Sequence, residues 1–232
     1  MAKRDLFLHE ELMLLALKDR EGTVAGGTMY PYAIGGGVLA ELLMSERIAL
    51  EERKRKQLVR VVDDTPAGDP LIDEWIVKMA DREKPRSAED WVGRIAHTKD
   101  LKHRVARQLS RRGVLRTAED KVLWIFTRKI YPELDPRPER ELMGRLEAAI
   151  FGNGEEVGPR TTVVIALAHR AAILRAVFEK ARLEERKERL ERIAEGELTA
   201  EATEAAIEAM RAAVMVAVVV PTMVAASTTV TS

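Results

Sequence analysis

The chain has 232 residues, 46% of them hydrophobic and 33% charged, and its 38 basic and 38 acidic residues give a formal net charge of zero. This balance is typical of a globular protein and excludes both a disordered chain and a protein that coats nucleic acid through general positive charge. Cysteine is absent, which excludes disulfides, thiolate metal ligands and a cysteine nucleophile. No linker divides the chain, so one large domain is expected.

The first segments predict helices separated by glycines. Leucines at helical spacing predict a helix that ends near Gly22. A glycine pair and a glycine triplet then bracket residues 30–32, which we interpret as a loop, followed by a helix that opens at Val38. The free amides of such a helix start can hold an anion, although a tight turn is the commoner reason for clustered glycines.

A hairpin with a basic tip is predicted next. Its arms are residues 48–50 and 58–62, and its tip is residues 53–56, which read Arg-Lys-Arg-Lys. A basic tip is usually solvated, but it can also contact phosphates. We therefore treat it as a secondary candidate for anion binding.

The stretch from Thr98 to Tyr131 concentrates positive charge. Between residues 99 and 116 there are seven basic residues and a single acid, Asp100. The basic residues are Lys99, Lys102, Arg104, Arg107, Arg111, Arg112 and Arg116. Apolar residues recur every four positions from Leu101, which predicts a helix with one apolar face and the cations on the others, ending at Gly113.

An unbroken apolar run follows this helix and is interpreted as the return arm of a hairpin. It consists of Val122, Leu123, Trp124, Ile125 and Phe126. A core strand buried on both faces is the commoner interpretation of such a run. The alternatives are a hairpin that faces a membrane, because a basic helix beside it would attract anionic lipid, and a surface for self-association.

The second half of the chain predicts further helices. They are an amphipathic helix over 139–151, a buried central helix over 161–180 that contains His169 as a core residue, a solvated helix over 184–195, and a packed last helix from residue 202 with a frayed end. The apolar stretch 212–226 is shorter than the ~20 residues that a membrane-spanning helix needs. We therefore expect a cytoplasmic protein with peripheral membrane contact, since the polar N-terminus is also unlike a signal peptide.

Catalytic patterns are missing from the sequence. The four histidines show no metal-binding spacing, no serine is flanked by glycines as a nucleophile, and no nucleotide fingerprint is present. The sequence therefore predicts no enzyme, no metal and no cofactor.

Several short motifs, in order, make the chain resemble the Golgi phosphoprotein family over residues 6–212. The motifs are LFLHEE at 6–11, LLALKDREG at 14–22, GGVLAEL at 36–42, PAGDPLIDE at 66–74, GVL at 113–115, LAH at 167–169 and ATE at 202–204. The resemblance implies a mostly α-helical, single compact domain with small β-hairpins, one of them apolar and membrane-facing, and leaves residues 213–232 as a tail. It also implies a peripheral membrane protein that binds phosphatidylinositol 4-phosphate.

The resemblance also implies where the headgroup binds. The two cations of the family's pocket fall on Lys99 and Lys102, and the inserting hairpin falls on residues 122–126. A tryptophan and an arginine of that pocket correspond to Gly26 and Gly35 here. Tyr30 or Tyr32 is the candidate replacement for the aromatic ring, and the amides of Gly35, Gly36 and Gly37 are candidate replacements for the donor.

The glycines at positions 26 and 35 affect which ligand is expected, and the N-terminus affects which partners are expected. An anionic lipid other than the phosphoinositide becomes an alternative ligand. The N-terminal arginines that family members use for coat and Golgi-enzyme partners have no counterpart, so a Golgi sorting role is not expected, and the composition suits a bacterial relative. A winged-helix nucleic-acid binder shares the outline of basic helix, strand and hairpin, but the zero net charge and the apolar arm make nucleic acid an unexpected partner.

Overall fold

The computed structural model describes residues 5–18, 23–53, 56–122, 126–154 and 156–200, together with residues 203, 205–207, 209, 211 and 212. The described chain is mostly helical, as expected. Its helices are α1 (Leu8–Ala16), α2 (Tyr30–Met44), α3 (Pro70–Ala80), α4 (Ala88–Ala96), α5 (Leu101–Arg111), α6 (Arg137–Phe151), α7 (Pro159–Arg170), α8 (Leu174–Val177), α9 (Lys180–Glu185) and α10 (Lys187–Ala194). The strands are β1 (Leu17–Lys18), β2 (Thr23–Val24), β3 (Ile48–Arg53), β4 (Lys56–Val61), β5 (Ala118–Val122) and β6 (Phe126–Ile130), paired as three antiparallel hairpins.

Helices α1, α2 and α7 form the centre of the core. Every residue of α1 is buried, including the polar His9, Glu10 and Glu11. Helix α7 is buried from Thr161 to Ala168, which agrees with the prediction of a central helix but not with its length. The helix stops at Arg170 because the backbone turns at Ala172, whose φ of 57° lies in the left-handed region.

The prediction of a loop over residues 30–37 is wrong, because α2 begins at Tyr30 and not at Val38. Pro31 stands in the first turn of the helix, where its missing amide hydrogen costs nothing. The three glycines are therefore helical and buried. A Cβ atom at Gly35 would lie 2.8 Å from the carbonyl oxygen of Val92, so α2 and α4 touch backbone to backbone.

The first predicted helix is also shorter than expected. Helix α1 ends at Ala16, and β1 then pairs with β2. Residues 19–22 lie outside the described part of the chain.

The hairpin of β3 and β4 confirms the predicted arms around the basic tip. Its register runs from Ile48 opposite Val61 to Arg53 opposite Lys56. Lys54 and Arg55 lie outside the described residues.

The second predicted hairpin is present, but the prediction of its return arm is wrong. Val122 ends β5, Phe126 begins β6, and these two residues pair with each other. Leu123, Trp124 and Ile125 lie between them and outside the described residues. Because its two ends belong to opposite strands, the apolar run is not a single strand.

The C-terminal helices pack on α7. The predicted solvated helix is α10, whose Leu190, Ile193 and Ala194 are buried while its charged residues stay on the outer side. Residues 213–232 lie outside the described part of the chain. Among the residues that are described, no helix has the length and apolar character needed to cross a bilayer.

Candidate functional site

The two predicted lysines lie on either side of the start of α5. Helix α4 ends at Ala96, and a short turn with Asp100 at φ 56° leads into α5. Lys99 is exposed in this turn, and Lys102 is half-buried in the first turn of α5. The N-terminal end of α5 adds the partial positive charge of the helix dipole.

Hairpin strand β6 brings further cations to the same place. Arg128 lies close enough to Lys102 that burial and the charge of Arg128 together lower the pKa of Lys102. Lys129 also belongs to β6. We call Lys99, Lys102, Arg128 and Lys129 the basic cluster.

His103 reports the positive potential around the basic cluster. Burial lowers the pKa of His103, and so do the positive charges of Lys102, Lys129 and Arg107. The negative charge of Asp100 raises it, but by less. His103 Nδ1 is 2.8 Å from the hydroxyl of Tyr131, directly after β6. This contact anchors the base of the hairpin on α5, so helix and hairpin hold the cluster together.

Two further basic residues of α5 and its C-terminal cap form ion pairs within the protein. Arg104 forms an ion pair with Glu74 of α3, and Arg112 forms one with the buried Glu10 of α1. Both pairs fasten α5 to neighbouring helices. In the sequence, these cations all belong to one basic helix. In the structure, Lys102 lies close to Arg128 of the hairpin, whereas Arg104 and Arg112 are occupied in ion pairs.

Of the two candidate tyrosines, Tyr32 contacts the residue that ends α4. Its ring meets the ring of His97 edge to face at 5.9 Å between centroids, and His97 is the residue that caps α4 two positions before Lys99. Tyr30 is half-buried next to Gly26, and burial raises the pKa of its hydroxyl. The predicted aromatic contribution is therefore better placed on Tyr32.

The predicted role of Gly35 and Gly36 as donors at a helix start is wrong. Both are buried in the middle of α2, where backbone amides donate within the helix. Gly26 has φ +80°, and a Cβ atom there would lie 2.7 Å from the carbonyl oxygen of Ala171. Neither position has room for the side chain that the family pocket uses.

Sequence reasoning missed Arg128 and Lys129. The hairpin could have indicated them. If the apolar run connects two strands, the second strand contains Arg128 and Lys129 and runs back toward α5. Of the predicted inserting residues, Leu123, Trp124 and Ile125 lie outside the described residues, as do the side chains of Val122 and Phe126. Within the part of the chain that is described, no three carboxylate or imidazole groups converge as a metal site would require.

The described chain is thus a mostly helical domain with small β-hairpins, in which cations of α5 and β6 lie close together. The family model described as Golgi phosphoprotein 3 (GPP34) matches residues 8–210, and the chain belongs to that family. It is similar to vacuolar protein sorting-associated protein 74 of Eremothecium gossypii (strain ATCC 10895), with 27% identity over 213 residues. That alignment covers 78% of this chain and 64% of the relative, so the chain matches somewhat less than two thirds of that protein's length.

Proposed function

We propose that this protein associates peripherally with the cytoplasmic face of a membrane by binding an anionic phospholipid headgroup, foremost phosphatidylinositol 4-phosphate. The observation that carries this proposal is the proximity of Lys102 on α5 to Arg128 on β6. It brings together cations of α5 and of a hairpin whose connecting residues are apolar in sequence. The protein acts by binding, without catalysis.

Electrostatics and insertion would act together at this surface. Each lysine or arginine near an anionic leaflet contributes about 1 kcal/mol, and this attraction falls off within a Debye length. The apolar tip adds burial of side chains in the interfacial region, which salt does not screen. Binding is therefore expected to weaken with salt and to retain a component that salt does not remove.

Headgroup selectivity would come from Lys99, Lys102 and Tyr32. Lysine supplies a point charge with several donors rather than the bidentate fork of arginine. With glycine at positions 26 and 35, the site has fewer fixed donors than the family pocket. Binding of another anionic lipid at the same cluster is the alternative form of the proposal.

Flotation with vesicles tests the headgroup site. We compare neutral vesicles, vesicles with phosphatidylserine, and vesicles with phosphatidylinositol 4-phosphate at matched surface charge. The parent should float with the phosphoinositide vesicles, and Lys99→Ala with Lys102→Ala should abolish this. Lys180→Ala with Lys187→Ala, an equal loss of charge at exposed positions, serves as the control. Unchanged flotation of the Lys99 and Lys102 variant would contradict the proposal.

Two other functions of the same region make different predictions. In a nucleic-acid binder, cations along α5 would face the phosphates, but Arg104 and Arg112 are engaged in ion pairs. Self-association through the hairpin is compatible with lipid binding. Analytical ultracentrifugation of Trp124→Ser would show a lower oligomeric state than the parent only if the tip joins copies of the chain.

A further inference from the structure

The basic tip of the β3–β4 hairpin borders a cleft that the lipid-binding proposal does not use. The segment between α3 and α4 lies along the edge of β4: the amide of Val59 donates to the carbonyl oxygen of Arg86 at 2.9 Å, and Leu58 and Ser87 form an isolated β-bridge. These bonds hold the segment against the hairpin. A cleft of about 310 Å³ remains between them.

The lining of this cleft is strongly cationic. Lys56, Arg82, Lys84 and Arg86 line it together with one acid, Asp90. Lys56, Arg82 and Lys84 are exposed, and none of their side chains forms an ion pair in the described part of the chain. In sequence, Arg53, Lys54 and Arg55 directly precede Lys56.

Arg86 is only partly engaged. Its Nη1 lies 3.8 Å from Asp90 Oδ2, which is longer than a hydrogen bond. Its Nε is buried without a hydrogen-bond partner among the described residues. Nη1 therefore retains donor capacity in a side chain that lines the cleft.

We propose that this cleft is a second anion-binding site that takes a phosphorylated group, through Lys56, Arg82, Lys84 and Arg86. Arginine and lysine are the side chains that recognise phosphate, and a phosphate monoester carries a charge of about −1.5 to −2 that several cations together can balance. Ser87 begins α4 at the cleft, so the positive end of that helix adds to the attraction. The cleft is large enough for more than a single phosphate, which suits a diphosphate or a phosphorylated headgroup.

The second site is separate from the basic cluster. It lies at the N-terminal end of α4, whereas Lys99 follows the C-terminal end of the same helix. Nine helical residues at ~1.5 Å each separate the two ends by roughly 13 Å. The phosphate group could belong to a soluble compound or to a lipid headgroup. A titration with a soluble phosphate and a vesicle flotation distinguish the two.

Titration with inorganic pyrophosphate, followed through amide resonances, tests the site with a soluble probe. In the parent, saturable shifts should appear at residues 82–87, and Lys56→Gln with Lys84→Gln should weaken the affinity on the order of tenfold or more, since charged hydrogen bonds are lost. Lys180→Gln with Lys187→Gln, the control for net charge, should leave the affinity unchanged. Asp90→Asn should tighten binding, whereas Glu184→Gln, which changes the charge equally at an exposed position, should not.

Flotation with phosphatidylcholine vesicles that contain phosphatidic acid tests the lipid source. It is done in the Lys99→Ala, Lys102→Ala background, so that the two lysines of the basic cluster do not contribute. If residual flotation falls on adding Lys56→Gln with Lys84→Gln and not on adding the control pair, the cleft binds a lipid headgroup. If only the pyrophosphate titration responds, the ligand is soluble. Equal effects of the site and control variants, or no response in either experiment, would overturn the proposal.

Discussion

His9 is the residue with the most unusual surroundings in the core. It is fully buried, and its Nε2 lies 3.4 Å from Asp69 Oδ2. Burial opposes the charged imidazole, but the contact with Asp69 and the charges of Glu10 and Glu41 outweigh it, so the pKa of His9 is raised. Asp69 in turn accepts hydrogen bonds from the amides of Leu71 and Ile72 and so caps α3. The contact between His9 and Asp69 therefore links α1 to the start of α3.

The raised pKa of His9 predicts how stability depends on pH. Because the folded pKa exceeds the ordinary value of 6.5, the contribution of His9 is fully present below pH 6.5 and is lost as pH rises through the folded pKa. The free energy of unfolding should fall over that range in the parent. Denaturant titrations at a series of pH values should show a flatter profile for His9→Gln. An unchanged slope in that variant would contradict the assignment.

Gly35 is the second residue whose role depends on its neighbours. Because a Cβ atom there would press on the Val92 carbonyl oxygen, Gly35→Ala should destabilise the protein by about 1–3 kcal/mol, as overpacking does. The matched control is Gly144→Ala in α6, where nothing lies within 4 Å, and where alanine should stabilise by up to about 1 kcal/mol. Thermal unfolding followed by circular dichroism measures both. The same sign of effect at both positions would show that the contact with α4 is unimportant.

At the scale of elements, the meeting of α5 with the β5–β6 hairpin creates the candidate site. Neither element forms the site alone: Arg104 and Arg112, at α5 and its C-terminal cap, are occupied in ion pairs, and β5 places acidic residues opposite the two cations of β6. The bond between His103 and Tyr131 and the approach of Arg128 to Lys102 bring their cations together. His103 therefore serves as a natural reporter of charge at the basic cluster.

Anion binding at the basic cluster should raise the pKa of His103. Lys102, Lys129 and Arg107 now disfavour its charged form, and an anion would offset them. A titration of the His103 ring followed by NMR, with and without inositol 1,4-bisphosphate as a soluble headgroup, should show the upward change. The change should disappear in Lys99→Ala with Lys102→Ala. A pKa of His103 that stays the same with saturating headgroup would place the anion elsewhere.

At the scale of the whole molecule, arginines from α6, α7 and the C-terminal end of α5 meet carboxylates of α1 and α2. Glu10 pairs with Arg112, Glu11 lies 2.8 Å from Arg145, and Glu41 lies 2.9 Å from Arg160. Burial raises the pKa of Glu10 and of Glu11. The positive charge of the nearby arginine lowers each pKa, but by less than burial raises it. These pairs tie α5, α6 and α7 to the core.

Arg160→Leu tests this arrangement. The arginine also donates to the carbonyl oxygen of Leu6, so its loss leaves two acceptors without their partner. The Arg160 side chain is about one third exposed, so water can partly replace its hydrogen bonds to the two acceptors. We therefore expect a destabilisation of about 1–3 kcal/mol, below the range for a fully buried pair. Arg175→Leu, at an exposed position of α8, should change the free energy of unfolding by less than about 0.5 kcal/mol. Equal effects of the two substitutions on chemical unfolding would contradict the structural role of the Arg160 pair.

Local signals determined much of this protein from its sequence. Helical spacing from Leu101 predicted α5, and two arms around a basic tip predicted the hairpin of β3 and β4, because these features depend on neighbours along the chain. Short motifs placed the chain in its family. Lys99 and Lys102 came from that resemblance, and their proposed role remains to be tested.

Only the tertiary structure decided which residues meet. The glycines at 35–37 looked like a loop because glycine disfavours helices, yet contacts with α1, α4 and α7 select a helix that no larger side chain would allow. Strand pairing moved the apolar run from a return arm to a hairpin tip and brought Arg128 to Lys102. In the same way, the cleft beside Lys56 exists only because the segment before α4 bonds to the edge of β4. Packing and pairing between distant segments set these features, and the order of residues along the chain carries no direct signal of them.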